Sequence, residues 1–402
     1  MPLVTQTFNH NALIRVALVM AFIQFTHALE YMMFNPVFAF MAADFAVPVS
    51  FSGYVSGMYT SGAVLSGIIA FYWIGRFNKK RFLIANMSLL GLLTLLTTFT
   101  SSFSLLLTLR FCAGLVGGTT MGVGISILIN NVPTNVRGKM LAVVIASFSM
   151  VSIAGMPTIL FLCTHYGWHV ALWLISTLCL LALPLIVFII PHEPASFDKL
   201  HAQPLDMDTL LFASANALVQ FSPMLIIPVL VPLLTQQLGA SQDLLPWLFF
   251  GGGVTGYLST KMTGMLTSRF SALILATGST LVFILSLLIP FLGYQHAALF
   301  MTLFLGASYS RLVSSSALTV QFPDAGQRAG FFSLQTSILY LITTVAFFLS
   351  AFLLPKHGMA SQNVNTLLVI CAVSASVFPL LVFILQKKLA KRKIQRDHFT
   401  ID

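Results

Sequence analysis

The sequence predicts an all-α membrane protein in which twelve transmembrane helices form two pseudo-symmetric six-helix bundles. Three observations support this prediction: an apolar composition, the recurrence of apolar stretches long enough to span a membrane, and an internal repeat. Of the 402 residues, 57% are hydrophobic and only 7% are charged, and the mean hydropathy is +0.93. Soluble domains carry about 25% charged residues, so the composition excludes a soluble globular chain.

Twelve apolar stretches of about 20 residues or more are each long enough to cross a hydrocarbon core about 30 Å thick. We number them spans 1 to 12 in chain order. Their approximate bounds are 12–42, 49–75, 81–101, 104–130, 138–163, 169–190, 208–236, 245–267, 271–293, 297–321, 329–354 and 364–386. Spans 2 and 8 are rich in Gly and Ser and therefore give the weakest apolar signal.

The positive charge follows the topology of these spans. The net charge is +10, and sixteen of the twenty lysines and arginines fall on one side of the membrane if both termini are cytoplasmic. The exceptions are Lys356 and three residues inside spans. This positive-inside distribution predicts an even number of spans with both ends in the cytoplasm, and it argues against nucleic acid as a partner. We expect the basic tail at 387–402 to lie near anionic lipid head groups.

The sequence offers no constellation that would make the chain an enzyme or hold a metal. The four cysteines, Cys112, Cys163, Cys179 and Cys371, lie in or at the ends of different spans without metal-ligand spacing. Gly251-x-Gly253-x-x-Gly256 fits the dinucleotide fingerprint by letter only, since no strand precedes it, and no phosphate-binding lysine loop is present. We therefore expect no cofactor and no metal, and a monomer whose partners are a small-molecule substrate, protons and membrane lipid.

An internal repeat relates the two halves of the chain. The hydrophilic loop 191–207 separates an N-terminal bundle at 1–190 from a C-terminal bundle at 208–386. Corresponding positions, at offsets between 190 and 196, are Gln24-Phe25-Thr26 with Gln220-Phe221-Ser222, Pro36 with Pro232, Arg76-Phe77 with Arg269-Phe270, Pro133 with Pro323, Arg137 with Arg328, and Gly167 with Gly358. Two parallel repeats with a site near the membrane midplane at their interface are typical of alternating-access transporters.

The loops between spans carry motifs of a known family. Gly75-Arg76-Phe77-Asn78-Lys79-Lys80 follows span 2, and Arg269 follows span 8. The first stretch is similar to the Gly-x-x-x-Asp-Arg-x-Gly-Arg-Lys motif of the major facilitator superfamily, which the chain resembles over essentially its whole length. Arg137 and Arg328 also fit the family's loops. In that family the Asp of the motif helps to hold the cytoplasmic gate shut, so its absence here implies a gate with other contacts or a looser one.

Two further motifs resemble the drug/proton antiporter branch of this superfamily. Arg110 to Gly114 is similar to the Arg-x-x-x-Gly motif of helix 4, whose Arg is linked to proton transfer in the family. Gly155-Met156-Pro157 is similar to the Gly-Pro motif of helix 5 that is associated with export, although Thr158 stands where a further Gly is usual. The resemblance implies the fold of the superfamily and, for function, efflux by proton antiport.

Glu30 is the acid that falls at membrane depth, while the other nine acids fall in loops or tails. A charge in hydrocarbon costs several kcal/mol, so such a residue is a candidate functional site. Arg110 is its natural partner, because helices 1 and 4 line the central cavity in the family. A Glu that faces an Arg is able to bind and release a proton as its surroundings change, as proton coupling requires. The alternative is a permanent structural ion pair.

The predicted substrate-binding residues are Gln24, His27, Gln220, Arg311 and Lys261. Gln24 and His27 share a helix face with Glu30, and Gln220 is the repeat mate of Gln24. The alternatives are interhelical hydrogen bonding for the Gln and His side chains, and for Lys261 an extended side chain that reaches the interface. If Arg311, Lys261 and Arg110 all faced the cavity together with Glu30, the net charge of these four side chains would be +2. Such a surplus of positive charge would favour an anionic substrate.

These observations predict a secondary active transporter that exports a small organic molecule in exchange for protons. The start of the chain lacks the basic region and cleavage site of a signal peptide. The compactness of the chain and the family resemblance lead us to expect the inner membrane of a bacterium. Two alternatives stay open: uptake or facilitated transport of an organic anion, and a non-transporting membrane sensor or assembly partner with this fold.

Overall fold

The structure, a computed structural model, describes residues 10–73, 78–132, 134–191, 206–323, 328–354 and 361–399, and every regular element in these ranges is helical. Numbered in chain order, the α-helices are α1 (His10–Met41), α2 (Ser52–Trp73), α3 (Lys79–Thr97), α4 (Phe103–Gly117), α5 (Thr120–Asn131), α6 (Thr134–Met150), α7 (Met156–Tyr166), α8 (Trp168–Ile189), α9 (Met207–Ile226), α10 (Leu230–Pro232), α11 (Leu245–Leu266), α12 (Ala272–Phe291), α13 (Ala297–Thr319), α14 (Arg328–Leu353), α15 (Ser361–Ser376) and α16 (Phe378–Phe399). Short turns join some of them: 3-10 turns at Val49–Phe51, Ile227–Val229 and Gln242–Leu244, and π-helical turns at Val151–Gly155 and Leu233–Gln237.

The helices follow the predicted spans closely. In the described part of the chain, ten stretches are long and apolar enough to cross a membrane. The other two predicted spans correspond to α2 and α11, which have 22 residues each and are long enough to span at about 1.5 Å per residue. Their Gly and Ser content makes them less apolar than the ten. The prediction of an all-α membrane protein is confirmed, and the count of twelve spans stays a prediction.

Prolines interrupt several spans. The π-helical turn Val151–Gly155 comes directly before α7, in which Pro157 is the second residue. Because proline has no N–H, the carbonyl one turn earlier lacks its usual donor and the helix widens locally. Pro228 lies in the 3-10 turn that ends α9, and α16 begins just before Pro379. Two of these breaks, at Ser152 and Ile227, border a cavity between the halves of the chain.

Helix packing follows the internal repeat. In the N-terminal half α2 packs against α4 and α3 against α8; in the C-terminal half the corresponding α11 packs against α13, and α12 against α15 and α16. The two halves touch along α2 and α14, and where α11 crosses the π-helical turn and α7. These two crossings also correspond to each other under the repeat. The largest contacts between the halves are therefore of one type that is used twice, and α1 adds contacts with the 3-10 turn Ile227–Val229 and with α10.

Close helix approach depends on glycine both within a half and between the halves. A Cβ on Gly114 of α4 would lie 1.9 Å from the Tyr59 carbonyl oxygen of α2. A Cβ on Gly253 of α11 would lie 2.5 Å from the Ser152 carbonyl oxygen in the π-helical turn. In a membrane, small residues let helix backbones meet, and dispersion contacts then replace the hydrophobic driving force of a soluble core. The low hydropathy of α2 and α11 is thus a consequence of their packing.

Charged side chains at the helix ends join neighbouring segments. Lys80 Nζ donates to the carbonyls of Val187 and Ile190 at 2.8 and 2.6 Å, so it caps the C-terminal end of α8. Asp206 caps α9 by accepting from the Thr209 N–H at 2.9 Å, and its hydrogen bonds with Thr209 hold the pKa of the Asp206 carboxyl below its usual range. Two residues after Asp206, Asp208 forms an ion pair with Lys388 of α16.

Substituting Gly114 with Ala tests the α2–α4 crossing. The added methyl meets backbone, which cannot rotate away, so the helices must separate and we expect a loss of about 1–3 kcal/mol in the free energy of unfolding. Thermal unfolding of the purified protein in detergent measures the change. Gly122→Ala is the matched control, because nothing lies within 4 Å of that position and Ala favours the helix. Equal melting temperatures for the two variants would contradict the packing role of Gly114.

Candidate functional site

A buried ion pair joins α1 to α4. Arg110 Nη1 donates a hydrogen bond to Glu30 Oε1, and the two side chains are 1% and 0% exposed. Glu30 comes from the middle of α1, and Arg110 lies one helical turn before Gly114, whose lack of a side chain brings α2 against α4. The pair lies inside the N-terminal half, where its two charges cancel. Burial of this kind is costly for each ion alone and tolerable only for the pair.

Aromatic rings surround the guanidinium group of Arg110. Its Cζ lies 3.7 Å from the ring centroid of Phe34 and 4.6 Å from that of Tyr59. Such contacts stabilise a desolvated cation by roughly 2 kcal/mol. On the other side, Thr94 Oγ1 of α3 donates to Glu30 Oε1 at 3.4 Å. The cation therefore keeps favourable contacts when the charge on Glu30 changes.

Part of the hydrogen-bonding capacity of the pair is left over. Glu30 Oε2 and the Nε and Nη2 atoms of Arg110 have no hydrogen-bond partner among the described residues. A free carboxylate oxygen next to a singly bonded guanidinium is able to take a proton without disrupting any other hydrogen bond. This arrangement suits a carboxyl group that changes its protonation state better than one held in a closed network.

His27 and Gln24 extend this polar cluster within the N-terminal half. His27 Nε2 lies 3.1 Å from the Tyr59 hydroxyl, so the histidine is connected to the ion pair through the tyrosine ring that covers Arg110. Gln24 is 0% exposed, and its Nε2 donates to the Thr120 carbonyl at 3.4 Å. Both side chains are thus held by interhelical contacts, the alternative that the sequence left open for them.

Aromatic and hydroxyl contacts link the cluster to the C-terminal half. The Tyr31 ring centroid lies 5.1 Å from that of Tyr59 and 6.2 Å from that of Tyr340 in α14. Close by, Thr344 Oγ1 of α14 donates to Thr60 Oγ1 of α2 at 2.7 Å. A displacement of α2 near the ion pair would therefore be transmitted directly to α14.

A cavity of about 150 Å³ lies between the halves. Among the residues that the structure describes, no charged residue lines it, and its surface is largely apolar. Its lining residues come from α1, the π-helical turn, α7, α9, the 3-10 turn, α10, α11 and α13: Met32, Asn35, Pro36, Ser152, Met156, Gln220, Pro223, Met224, Ile227, Leu230, Phe249, Gly253, Phe304, Leu305, Ser308 and Tyr309. A mostly apolar pocket with a few polar groups at a domain interface is the usual form of a small-molecule site.

A hydrogen bond crosses the cavity wall from one half to the other. The Ser152 hydroxyl in the π-helical turn lies 3.2 Å from the Tyr309 hydroxyl of α13. The Tyr309 ring also packs against Gly256 of α11, where a Cβ would lie 2.5 Å from it. Any movement that separates the halves at this point must break the Ser152–Tyr309 bond.

The structure separates the charged residues that the sequence grouped around one cavity. Arg311 is 0% exposed inside the C-terminal half, where it donates to Ser222 Oγ at 2.9 Å and to the Ala375 carbonyl at 3.4 Å. Lys261 is exposed on α11. Since Glu30 neutralises Arg110 in the N-terminal half, the four groups do not share a cavity. The surplus charge of +2, and the anionic substrate inferred from it, is therefore not supported by this arrangement.

Of the predicted substrate residues, Gln220 lines the cavity, whereas Gln24, His27, Arg311 and Lys261 do not. The roles of all five stay predictions. Sequence reasoning missed Tyr59 and Thr94 beside the ion pair, and Asn35 and Tyr309 at the cavity. Tyr309 carried a detectable signal because it precedes Arg311 by two residues in a polar stretch of α13. Thr94 and Tyr59 carried none, since single hydroxyls are common in spanning helices.

The motif residues have varied surroundings. Gly114 and Gly155 lie at close helix contacts and Pro157 near the start of α7, whereas Lys79 begins α3 and Lys80 caps α8 within the same half. Arg269 is exposed after α11. Arg137 and Arg328 lie in α6 and at the start of α14, where only their backbone is described, and Arg76 lies outside the described residues. A gating role for these residues stays a prediction.

Two helical halves with a mostly apolar cavity between them are the architecture that alternating-access transporters use. The family model of the Major Facilitator Superfamily matches residues 20–212. The chain is therefore similar to the major facilitator superfamily, a family of transporters and not of enzymes.

Relatives and solved structures agree with this assignment. The chloramphenicol resistance protein of Streptomyces lividans is 24% identical over 304 residues, 71% of this chain and 75% of the relative. The purine ribonucleoside efflux pump NepI of Escherichia coli is 23% identical over 364 residues, 88% and 89% of the two chains. A bacterial homolog of the human lysosomal transporter Spinster, solved in an inward-facing and occupied conformation, superposes with a TM-score of 0.76 at 14% identity, covering 92% of this chain and 96% of that one. The fold is shared.

Breaking the ion pair from either side is expected to destabilise the protein. Arg110→Gln leaves an unpaired buried carboxylate, which costs about 3–5 kcal/mol in the free energy of unfolding. The loss should be smaller at pH 5 than at pH 8, because protonation of Glu30 removes the unpaired charge. The measurement is thermal and denaturant unfolding in detergent at both pH values.

The double variant Glu30→Gln/Arg110→Gln completes this experiment. It should lose much less stability than the two single variants added together, because it buries no unpaired charge. Arg81→Gln is the matched control, since Arg81 is exposed at the start of α3. Additive losses across the cycle would mean that Glu30 and Arg110 do not interact in the folded protein.

Proposed function

We propose that this transporter exports a small organic molecule from the cell in exchange for protons. The observation that supports the proposal best is the fully buried Glu30, which has one charged partner and one carboxylate oxygen without a hydrogen bond among the described residues. An ionisable group at that depth is expensive to keep, and transporters use such groups as proton sites. The relatives from Streptomyces lividans and Escherichia coli, a chloramphenicol resistance protein and a purine ribonucleoside efflux pump, support export as the direction.

Protonation of Glu30 is the step that would couple the proton to the movement of the halves. A neutral Glu30 no longer attracts Arg110, whose guanidinium then keeps the rings of Phe34 and Tyr59 as its main contacts. Since Tyr59 and Thr60 lie on α2, a small shift of this helix changes its contacts with Tyr31 and α14 at the interface between the halves. Proton and substrate need only favour different conformations for exchange to result.

In this proposed cycle, the substrate binds in the cavity. It lies between the halves and is lined by both, so a bound molecule contacts different groups in each conformation. The substrate therefore biases the same equilibrium that protonation of Glu30 biases, without touching the ion pair. A small organic molecule with a large apolar surface fits this lining better than a strongly charged one.

Flux driven by a pH gradient tests the proposal. In proteoliposomes with a defined protein orientation, chloramphenicol and adenosine, chosen from the names of the relatives, should move against their gradient only when protons flow the other way. Glu30→Gln should abolish the pH-driven part of the flux because the amide cannot exchange a proton. Asp243→Asn is the matched control, since Asp243 is an exposed acid before α11.

Other outcomes distinguish the alternatives. Equilibration of these compounds without dependence on the pH gradient would favour facilitated transport, and movement with the protons would favour uptake. If Glu30→Gln lowered the melting temperature while the wild type carried no flux for any tested compound, a sensor or assembly partner would be favoured. Unchanged pH-driven flux in Glu30→Gln would exclude Glu30 as the coupling residue.

A further inference from the structure

Two carboxamide side chains border the cavity, one from each half of the chain. Asn35 comes from α1 and Gln220 from α9. Every other polar side chain in the described part of the lining carries a hydroxyl group, and none of the described lining residues is charged. The carboxamides are thus the groups in this lining that offer both donors and an acceptor in one plane.

Both carboxamides retain hydrogen-bonding capacity. Asn35 is 3% exposed, its Nδ2 donates only a long bond of 3.5 Å to the Met32 carbonyl, and its Oδ1 has no partner among the described residues. Gln220 is half-buried, and no hydrogen bond of its side chain occurs in the described part of the chain. Amide groups that are shielded from water and lack partners are uncommon, since each unsatisfied group carries a desolvation cost.

The hydroxyl groups of the lining are more fully engaged. Ser152 and Tyr309 bond to each other across the halves at 3.2 Å, and Ser308 Oγ donates to the Phe304 carbonyl at 2.6 Å. A ligand would have to break these bonds to use those hydroxyls. The carboxamides of Asn35 and Gln220 are available without that cost.

The internal repeat does not account for this pair of carboxamides. Asn35 corresponds to Val231, and the repeat mate of Gln220 is Gln24, whose amide bonds to the Thr120 carbonyl in the interior of the N-terminal half. Equivalent positions thus have different environments in the two halves. The shared fold of the two halves therefore does not require a carboxamide at either of these positions of the cavity.

The chemistry of the lining selects a class of ligand. A carboxamide recognises an adjacent donor and acceptor by two parallel hydrogen bonds, as Asn and Gln do with the edge of adenine. A carboxylate or ammonium group would lose its hydration here without gaining an opposite charge, which is costly. The Met, Phe, Leu and Pro side chains around the carboxamides suit a flat apolar body.

We propose that the cavity binds an uncharged molecule that carries a planar amide or nucleobase-like edge, held by Gln220 from one half and Asn35 from the other. The apolar part of the molecule packs against Met32, Met156 and Phe249. This proposal deepens the proposed function, because it names the substrate class of the cavity through which export would occur. It replaces the anionic substrate that the sequence suggested.

Matched pairs of small ligands test the charge and the edge together. Binding of nicotinamide against nicotinate, and of indole-3-acetamide against indole-3-acetate, is measured on the purified full chain in detergent by saturation-transfer NMR and calorimetry at pH 7.5. Each pair differs in a carboxamide against a carboxylate on the same ring. We expect each amide to bind at least about tenfold more tightly than its carboxylate, the ratio that a difference of 1.4 kcal/mol produces.

Two variants of similar side-chain size locate the binding groups. Gln220→Met and Asn35→Leu should each weaken amide binding by about threefold to tenfold, as the loss of one hydrogen bond does, and should leave carboxylate binding unchanged. Gln321→Met is the matched control, because Gln321 is exposed and bonds to the Ala317 carbonyl of its own helix segment. If Asn35→Leu fails to fold in size-exclusion chromatography, Gln220→Met carries the test alone.

The outcomes separate this proposal from the export mechanism. Carboxylates that bind as well as the amides, amide binding that survives Gln220→Met unchanged, or no binding of any of the four compounds would overturn the proposed ligand class. None of these results would alter a pH-driven flux that depends on Glu30. Conversely, tight amide binding in detergent with no pH-driven flux in proteoliposomes would leave the ligand class standing and overturn proton-coupled export.

Discussion

In the hydrocarbon core of a membrane, no water is present to satisfy a charge or a backbone polar group, and each must find its partner within the protein. The described part of this chain meets that constraint with helices throughout and with few buried charges. Glu30 and Arg110 pair with each other, Lys80 bonds to the free carbonyls at the end of α8, and Arg311 bonds to a hydroxyl and a carbonyl. The features discussed for function are polar or charged groups that lack some of their hydrogen-bond partners or that are able to pair in more than one way.

The ion pair and the cavity, to which we assign the proton and the substrate in the proposed function, lie at two separate sites. The pair lies inside the N-terminal half, whereas the cavity is shared by both halves. Contacts through Tyr59, Tyr31 and Tyr340, and through Thr60 and Thr344, connect the pair to the interface. In the proposed exchange, proton and substrate would each favour a different arrangement of the helices. Because their sites are separate, they would not compete for the same atoms.

The two halves are related in architecture and different in chemistry. Equivalent crossings, α2 with α4 and α11 with α13, are close-packed in both. Glu30, however, corresponds to the buried Ile226, and Arg311 has no acidic partner among the described residues. The repeat supplies a common scaffold, and unequal substitutions on that scaffold place a buried ion pair in one half and two dissimilar carboxamides at the cavity.

The sequence alone was sufficient to predict the helices and the contact of Glu30 with Arg110, because a membrane allows an apolar chain few backbone conformations and few unpaired charges. Stretches of spanning length become helices in hydrocarbon, so the positions of the helices followed from composition and length. Glu30 was a candidate functional residue because a buried charge is costly, and its predicted contact with Arg110 is present in the structure. Proline and glycine positions likewise indicated where helices break or approach closely.

Only the tertiary structure decided which face of each helix meets which neighbour. Helical periodicity puts Gln24, His27 and Glu30 on one face, but that face points into the N-terminal half, not into the cavity. Arg311 and Lys261 lie in different environments for the same reason, and the inferred surplus of charge disappeared with their separation. The rotation of a helix about its own axis depends on packing against all its neighbours, and a one-dimensional pattern of polar residues does not contain that information.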